Sequence, residues 1–231
     1  MYKVLIVAAT RGEIEPLLTQ YQAQKSLLSD KVFGFPHRRC HIDALITGVG
    51  MVATAYEMAF WLSRRNYDLL LNAGVCGSFN RDIPLGTALQ ITSDEIADWG
   101  AETDSSFIPM AELDFFDANQ PPYEKGILRQ KIDLPLQQII PLLQVHGITV
   151  NKTSGNARQI KQLQKRYRAQ VETMESAAFF YAARSIDARF AAIRTISNYV
   201  EPRNTDNWNL AGAIDSLNQA LNIILNACPI K

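Results

Sequence analysis

Glu13, Glu175 and Asn198 are the side chains whose types and positions could do chemistry together. Glu13 follows the apolar run Lys3 to Ala9 through Thr10-Arg11-Gly12, so it sits where a buried strand gives way to a helix. Alternating α/β chains bind ligands at such carboxyl ends of strands. A carboxylate there can take a proton from water as a general base; equally, it can do no more than favour the positive end of a helix. Glu175 stands at a second junction, in Glu172-Thr173-Met174-Glu175-Ser176-Ala177-Ala178, where its oxygens can accept hydrogen bonds from hydroxyl groups. Asn198 ends the run Ile193-Arg194-Thr195-Ile196-Ser197-Asn198-Tyr199 beside Ser197, and its amide both donates and accepts.

Other clusters are weaker. Asn72-Ala73-Gly74-Val75-Cys76-Gly77-Ser78 has glycines where a backbone can pass closely against a flat ring, or simply turn tightly. Gly48-Val49-Gly50 opens a helix after a strand, but Ala53 stands where a dinucleotide-binding turn has its third glycine, and no acidic residue closes a following strand at the required distance. Backbone N–H groups of that turn can still face a ligand. His37, Cys40 and His41 have no second Cys or His cluster to complete a four-ligand metal site, and read as a surface turn or edge strand.

The elements that would hold these residues alternate. Buried strands are expected at Lys3 to Ala9, Ala44 to Thr47, Asp68 to Ala73, Thr87 to Thr92, Gly147 to Asn151, Ala169 to Thr173 and Phe190 to Ser197. Helical patterns run over Glu13 to Gln22, Met51 to Arg64, Asn156 to Arg168, Glu175 to Ser185 and Leu210 to Leu225. Pro16 is expected in the first turn of its helix, where N–H groups lack partners anyway. Two strands without a helix between them, around residues 68 to 92, imply a mixed sheet. Trp99 to Lys131 lacks periodicity and reads as a functional or interface loop, or as a surface excursion.

Composition narrows the partners. The chain has 231 residues, 47% hydrophobic and 20% charged, enough for one large domain spanning residues 1–231. Its 23 basic and 23 acidic residues cancel, which gives nucleic acid or an anionic membrane no electrostatic handle and leaves a small molecule as the partner. No run approaches the roughly 18 apolar residues of a membrane span. Three distant cysteines, Cys40, Cys76 and Cys228, argue against a disulfide framework and for a reducing compartment, so the expected location is cytoplasmic.

The order of motifs, a strand before Glu13, then GVGMVATA, NAGVCGSF, Met174-Glu175 and TISN, resembles the nucleoside phosphorylase and nucleosidase superfamily over nearly the whole chain. GVGMVATA, DWGAE from Asp98, ESAAFF from Glu175, and ISNYVEPRN from Ile196 followed by Trp208-Asn209 are similar to its futalosine hydrolase branch. The resemblance implies an α/β/α sandwich with a mixed central sheet, and a homodimer whose subunits complete one another's sites. The implied activity is hydrolysis of a purine nucleoside, with hypoxanthine released from futalosine in menaquinone biosynthesis and neither cofactor nor metal. On that reading Glu13 activates water, Met174 and Glu175 hold the ribose, and Asn198 with Ser197 faces the purine. Val75, Cys76 and Gly77 line base and sugar, and Phe107 and Arg203 are candidates for the 5′-substituent. Ser176 replaces the family's usual glycine and is expected to cap its helix.

Phosphorylases of the superfamily carry a P-G-D-P-like turn with arginines for phosphate, whereas this chain has Ala8-Ala9-Thr10-Arg11-Gly12-Glu13, where a carboxylate would repel phosphate. Arg11 alone is ambiguous. An asparagine at position 198, where methylthioadenosine/adenosylhomocysteine nucleosidases have aspartate, leans toward a 6-oxopurine, whose N7 and O6 both accept from an amide NH₂; it can also pair with adenine. That nucleosidase, an inosine-type phosphorylase and a silent nucleoside-binding protein are the alternatives.

Overall fold

Alternation within the first strand sets the layers. In the computed structural model, which describes residues 1–104, 106–131 and 134–230, β1 (Tyr2–Ala8) sends Val4, Ile6 and Ala8 into one cluster of buried side chains and Leu5 and Val7 into another. That is the two-residue period of a strand, and a strand apolar on both faces must be covered on both. Along the chain follow α1 (Arg11–Gln20), β2 (Gln24–Lys25), β3 (Val32–His37), β4 (Cys40–Ile46), α2 (Met51–Leu62), β5 (Leu69–Ser78) and β6 (Ala88–Ile96). Then come β7 (Gly100–Glu102), β8 (Phe107–Pro109), β9 (Leu128–Arg129), α3 (Leu136–Ile139), β10 (Leu143–Thr149), α4 (Ala157–Tyr167), β11 (Val171–Thr173), α5 (Ser176–Ser185), β12 (Phe190–Tyr199) and α6 (Leu210–Ala227).

Helices α1 and α6 cover one face through Ile14, Leu17, Leu217, Leu221 and Ile224. On the other face, α2 and α5 bury Met58, Trp61, Phe179 and Phe180. The result is the α/β/α sandwich with a mixed sheet that the family resemblance implies. The strand order is β11-β10-β6-β12-β5-β1-β4-β3-β2. β12 runs parallel to β5 and antiparallel to β6. β11 also pairs antiparallel with β5, so β11, β10, β6, β12 and β5 close a circuit at one end of the sheet. No helix of the described residues is long and apolar enough to cross a membrane.

Four details differ from the sequence reading. β5 continues through Gly74 and Gly77 to Ser78 instead of turning, because its pairing with β12 persists to Tyr199. β3 escapes the pattern because it carries Gly34 and Pro36, both depleted in strands. α1 starts at Arg11, so Pro16 lies in its second turn and removes an internal hydrogen bond. The stretch from Trp99 to Lys131 is not featureless: β7 and β8 form a ribbon, and Trp99, Phe116 and Tyr123 cluster against Tyr181 of α5. Arg184 of α5 fastens it further, donating to the Arg129 carbonyl at 2.7 Å and to Glu124 at 3.2 Å.

Candidate active site

Glu13 is held from both sides. Its Oε2 accepts from the Thr10 N–H at 2.8 Å and the Thr10 hydroxyl at 3.0 Å, while Oε1 accepts from the Val75 N–H of β5 at 3.2 Å. The helix-start and site readings of Glu13 therefore coexist in one carboxylate. Gly74 makes the approach possible: a Cβ there would lie 2.8 Å from Glu13 Oε1 and 3.4 Å from the guanidinium carbon of Arg194.

Arg194 is the residue the sequence reading passed over. It is 1% exposed, donates to Asn72 Oδ1 and, at 3.1 Å, to the Ser176 hydroxyl, and places a fixed positive charge behind the two glutamates. The available signal was a single arginine inside the apolar strand Phe190–Tyr199, since a cation is almost never buried unpaired.

Glu175 caps neither itself nor its helix; its Oε1 accepts from the Gly50 N–H at 2.9 Å. Gly48 and Gly50 take φ of +90° and +94°, a backbone that only glycine adopts readily, so this turn serves Glu175 directly. Burial raises the Glu175 pKa; the Arg194 charge and the Gly50 N–H oppose the rise, and the charge of Glu13 adds to it. The first turn of α5 is capped from neighbouring strands, with the Ser176 N–H donating to Thr173 Oγ1 at 3.3 Å and the Ala177 N–H to Thr149 Oγ1 at 2.8 Å. Ser176 is therefore not the cap expected of it, because its hydroxyl is taken by Arg194.

At the end of β12 the Ser197 hydroxyl lies 2.8 Å from Asn198 Oδ1, to which it donates. Asn198 Nδ2 in turn donates to the Tyr199 carbonyl at 3.1 Å, which leaves one N–H for a ligand. The amide thus has one N–H to offer in this conformation, where the sequence reading had it donate to two acceptors.

Glu13, Met174, Glu175, Ser197 and Asn198 line one cavity of about 420 Å³, a size suited to a small ligand. Val75, Cys76, Gly77 and Arg203 line it too, while Phe107 does not. Phe107 lies in β8 with the guanidinium of Arg166 5.0 Å from its ring centre. Burial pushes the Cys76 thiol up to about 12, so it is neutral at physiological pH and acts as wall. Arg203 is the one cation on the cavity wall among the described residues, and it sits 5.6 Å from the Trp208 ring centre. Arg11 is turned away, paired with Glu15 and stacked over Phe33. Cys40 is buried, and His37 and His41 engage Asn226 and Asp43. No group of three or more His, Cys, Asp and Glu among the described residues is placed to hold a metal ion.

Convergence comes about differently from a simple gathering of parallel strand ends. Glu13 and Asn198 follow or end the parallel strands β1 and β12, but Met174 and Glu175 arrive from β11, which runs back against β5 with Glu172 opposite Gly77. The closed circuit of strands, not one edge, brings the second glutamate round to the first.

A sandwich with this cavity defines the class: the phosphorylase superfamily matches residues 3–226, and the chain belongs to it. Futalosine hydrolase of Streptomyces coelicolor is 28% identical over 184 residues, 78% of this chain and 76% of that protein. Futalosine hydrolase of Acidothermus cellulolyticus is 30% identical over 183 residues, 77% of this chain and 72% of that protein. Among solved structures, native futalosine hydrolase of Helicobacter pylori aligns over 97% of each chain with a TM-score of 0.82 at 15% identity. A methylthioadenosine/adenosylhomocysteine nucleosidase of Colwellia psychrerythraea in complex with adenine aligns over 98% of this chain and 97% of its own, with a TM-score of 0.80 at 17% identity. At such identities the structures speak to the fold, and the choice of base rests on side chains.

Proposed function

We propose that this chain is an N-ribosyl hydrolase that splits futalosine and releases hypoxanthine, a step toward menaquinone, acting as a single cytoplasmic domain over residues 1–231. The curated futalosine hydrolases it resembles support the substrate. The observation that carries the chemistry is one cavity wall holding Glu13, Glu175 and Asn198, with Arg194 buried behind the glutamates.

Glu175 accepts hydrogen bonds from the ribose hydroxyls beside Met174. As the bond between C1′ and the purine nitrogen lengthens, positive charge grows on the sugar and is stabilised by the two carboxylates. Negative charge spreads over the departing base, where the free N–H of Asn198 donates to it. Glu13 takes a proton from the attacking water and the hydroxyl goes to C1′; the departing base takes up a proton from solvent, and Glu13 returns its own to solvent, so free sugar and neutral base are released. General-base assistance of this kind contributes typically about 10²- to 10⁴-fold. Arg203 and the ring of Trp208 offer the 5′-substituent a cation and an apolar face.

A second copy of the chain is expected to complete the site. Val52, Tyr56 and Phe60 form an exposed stripe along α2, four residues apart, and Val49 at its head is exposed on the cavity rim. Such a stripe on a soluble surface marks an interface.

The test is release of free base from futalosine, inosine and methylthioadenosine, each with and without phosphate. Hypoxanthine from futalosine in phosphate-free buffer is the expected result. A strict requirement for phosphate would make the protein a phosphorylase, adenine from methylthioadenosine alone would make it the other nucleosidase, and no release from any of them would remove the enzyme reading.

A further inference from the structure

Glu172 is a third carboxylate on the cavity wall, and the steps above do not use it. It is buried; its Oε1 accepts from the Ser154 N–H at 2.9 Å, and its Oε2 accepts from the Ser154 hydroxyl at 2.5 Å. Each carboxylate oxygen has two acceptor sites, so Ser154 leaves one on each.

The sheet register fixes where that carboxylate stands. Glu172 lies opposite Gly77 on β5, and Gly77 lies opposite Asn198 on β12. Directly paired residues on neighbouring strands share a face, and two strand spacings separate Glu172 from Asn198 by about 10 Å. A Cβ on Gly77 would lie 2.9 Å from Val200 Cγ2 and 3.3 Å from Asn198 Nδ2, so the glycine lets both side chains pack close against β5. Glu172 and Asn198 line the same cavity, so a flat heterocycle held between them meets an amide at one edge and a carboxylate at the other.

An acceptor-only group there separates the two classes of purine. A 6-oxopurine carries hydrogen on N1, whereas a 6-aminopurine presents a lone pair at N1. Asn198, with one free N–H, does not make this distinction by itself, because both classes offer an acceptor at N7. We infer that Glu172 is a specificity-determining residue for the base: its carboxylate accepts the N1 hydrogen of a 6-oxopurine held on its far side by Asn198, and it repels the N1 lone pair of a 6-aminopurine. The inference rests on the purine nucleoside reading of the cavity. Sites built to bond a hydrogen-bearing group reject analogues that lack it.

The experiment measures binding of free hypoxanthine and free adenine to the full chain at neutral pH by calorimetry, for the wild type and for E172Q, E172D and S154A. The wild type is expected to bind hypoxanthine at least about tenfold more tightly than adenine. In E172Q the amide can donate to adenine N1, and the ratio narrows by about tenfold. E172D, still acceptor-only, keeps the preference, and so does S154A; a purely structural tie between Glu172 and Ser154 would instead weaken both bases equally in E172Q and S154A. Equal binding of the two bases by the wild type overturns the inference without any variant having to fold, as does an unchanged ratio in folded E172Q. A wild type that releases no purine from any nucleoside would overturn the hydrolase reading, while hypoxanthine release together with an unchanged E172Q ratio would remove only the role of Glu172.

Discussion

Asn218 of α6 closes on the backbone of Glu13: its Nδ2 donates to the Glu13 carbonyl at 2.8 Å, and its Oδ1 accepts from the Leu17 N–H at 3.0 Å. Carbonyl and N–H are the two ends of one i→i−4 step of α1, so a side chain from the far end of the chain is inserted beside the helix ladder. The local cause is Pro16, which has no N–H to give and whose ring crowds the carbonyl four residues earlier. Helices are opened at prolines and where side chains enter the ladder. Asn218 thus fixes the turn of helix that carries the Glu13 carboxylate.

The first expectation follows from that contact. Asn218→Ala takes a partner from the buried Leu17 N–H and the half-buried Glu13 carbonyl, at a cost of about 1–3 kcal/mol in stability. If Asn218 positions Glu13, kcat falls while KM for the nucleoside holds, because the residues proposed to contact ribose and base lie elsewhere. A folded variant with both constants unchanged would make the contact structural alone.

The fold was legible because β1, β5 and β12 are apolar runs bounded by polar residues, and α6 has a clear helical period. Glu13, Glu175 and Asn198 were legible because each stands at a strand terminus, which is visible in one dimension. Arg194, Glu172 and Asn218 were not, for a common reason. Arg194 matters through Gly74, Glu172 through its register with Gly77, and Asn218 through a contact 205 residues away in sequence. Each depends on which strand or helix lies next to which, and the return of β11 against β5 has no signature in local periodicity.

Glu13→Gln keeps an oxygen able to accept from the Val75 N–H but cannot take a proton from water. Turnover is expected to drop by about 10²- to 10⁴-fold, with nucleoside affinity within a few-fold of wild type. Single-turnover release of base, alongside equilibrium binding of substrate, makes the check. A variant that retains most of its turnover would remove Glu13 as the base.

Asn198→Asp changes the character of the group proposed to face the base. A carboxylate there would place an oxygen against the Tyr199 carbonyl where the Asn198 N–H now donates at 3.1 Å. Two facing acceptors favour protonation, and the single proton then bonds the Tyr199 carbonyl, so the N–H that Asn198 keeps free is lost. Because N7 accepts in both purine classes, inosine-type and adenosine-type turnover are expected to fall together by about tenfold, the scale of one lost hydrogen bond. Turnover unchanged for both would mean that the amide at position 198 does not bond the base.

Asp94 links pH to stability just behind the site. It is fully buried; its Oδ1 accepts from the Thr149 hydroxyl at 2.7 Å, and its Oδ2 has no partner among the described residues. Burial pushes its pKa from 3.8 up to about 7, against the pull of the Thr149 hydrogen bond and the charges of His146 and Arg194, with Glu95 adding to the rise. The folded protein therefore keeps a proton that the unfolded chain releases above about pH 4, and stability falls as pH rises from there to about 7. Between about pH 5 and pH 8 the loss from this group is on the order of 2 kcal/mol. Asp94→Asn can still accept from Thr149 but does not titrate, so urea midpoints should show the variant gaining on the wild type by that amount as pH rises through this window. Comparing the two proteins isolates the contribution of Asp94. Parallel pH profiles for the two proteins would show that Asp94 is not the group that titrates.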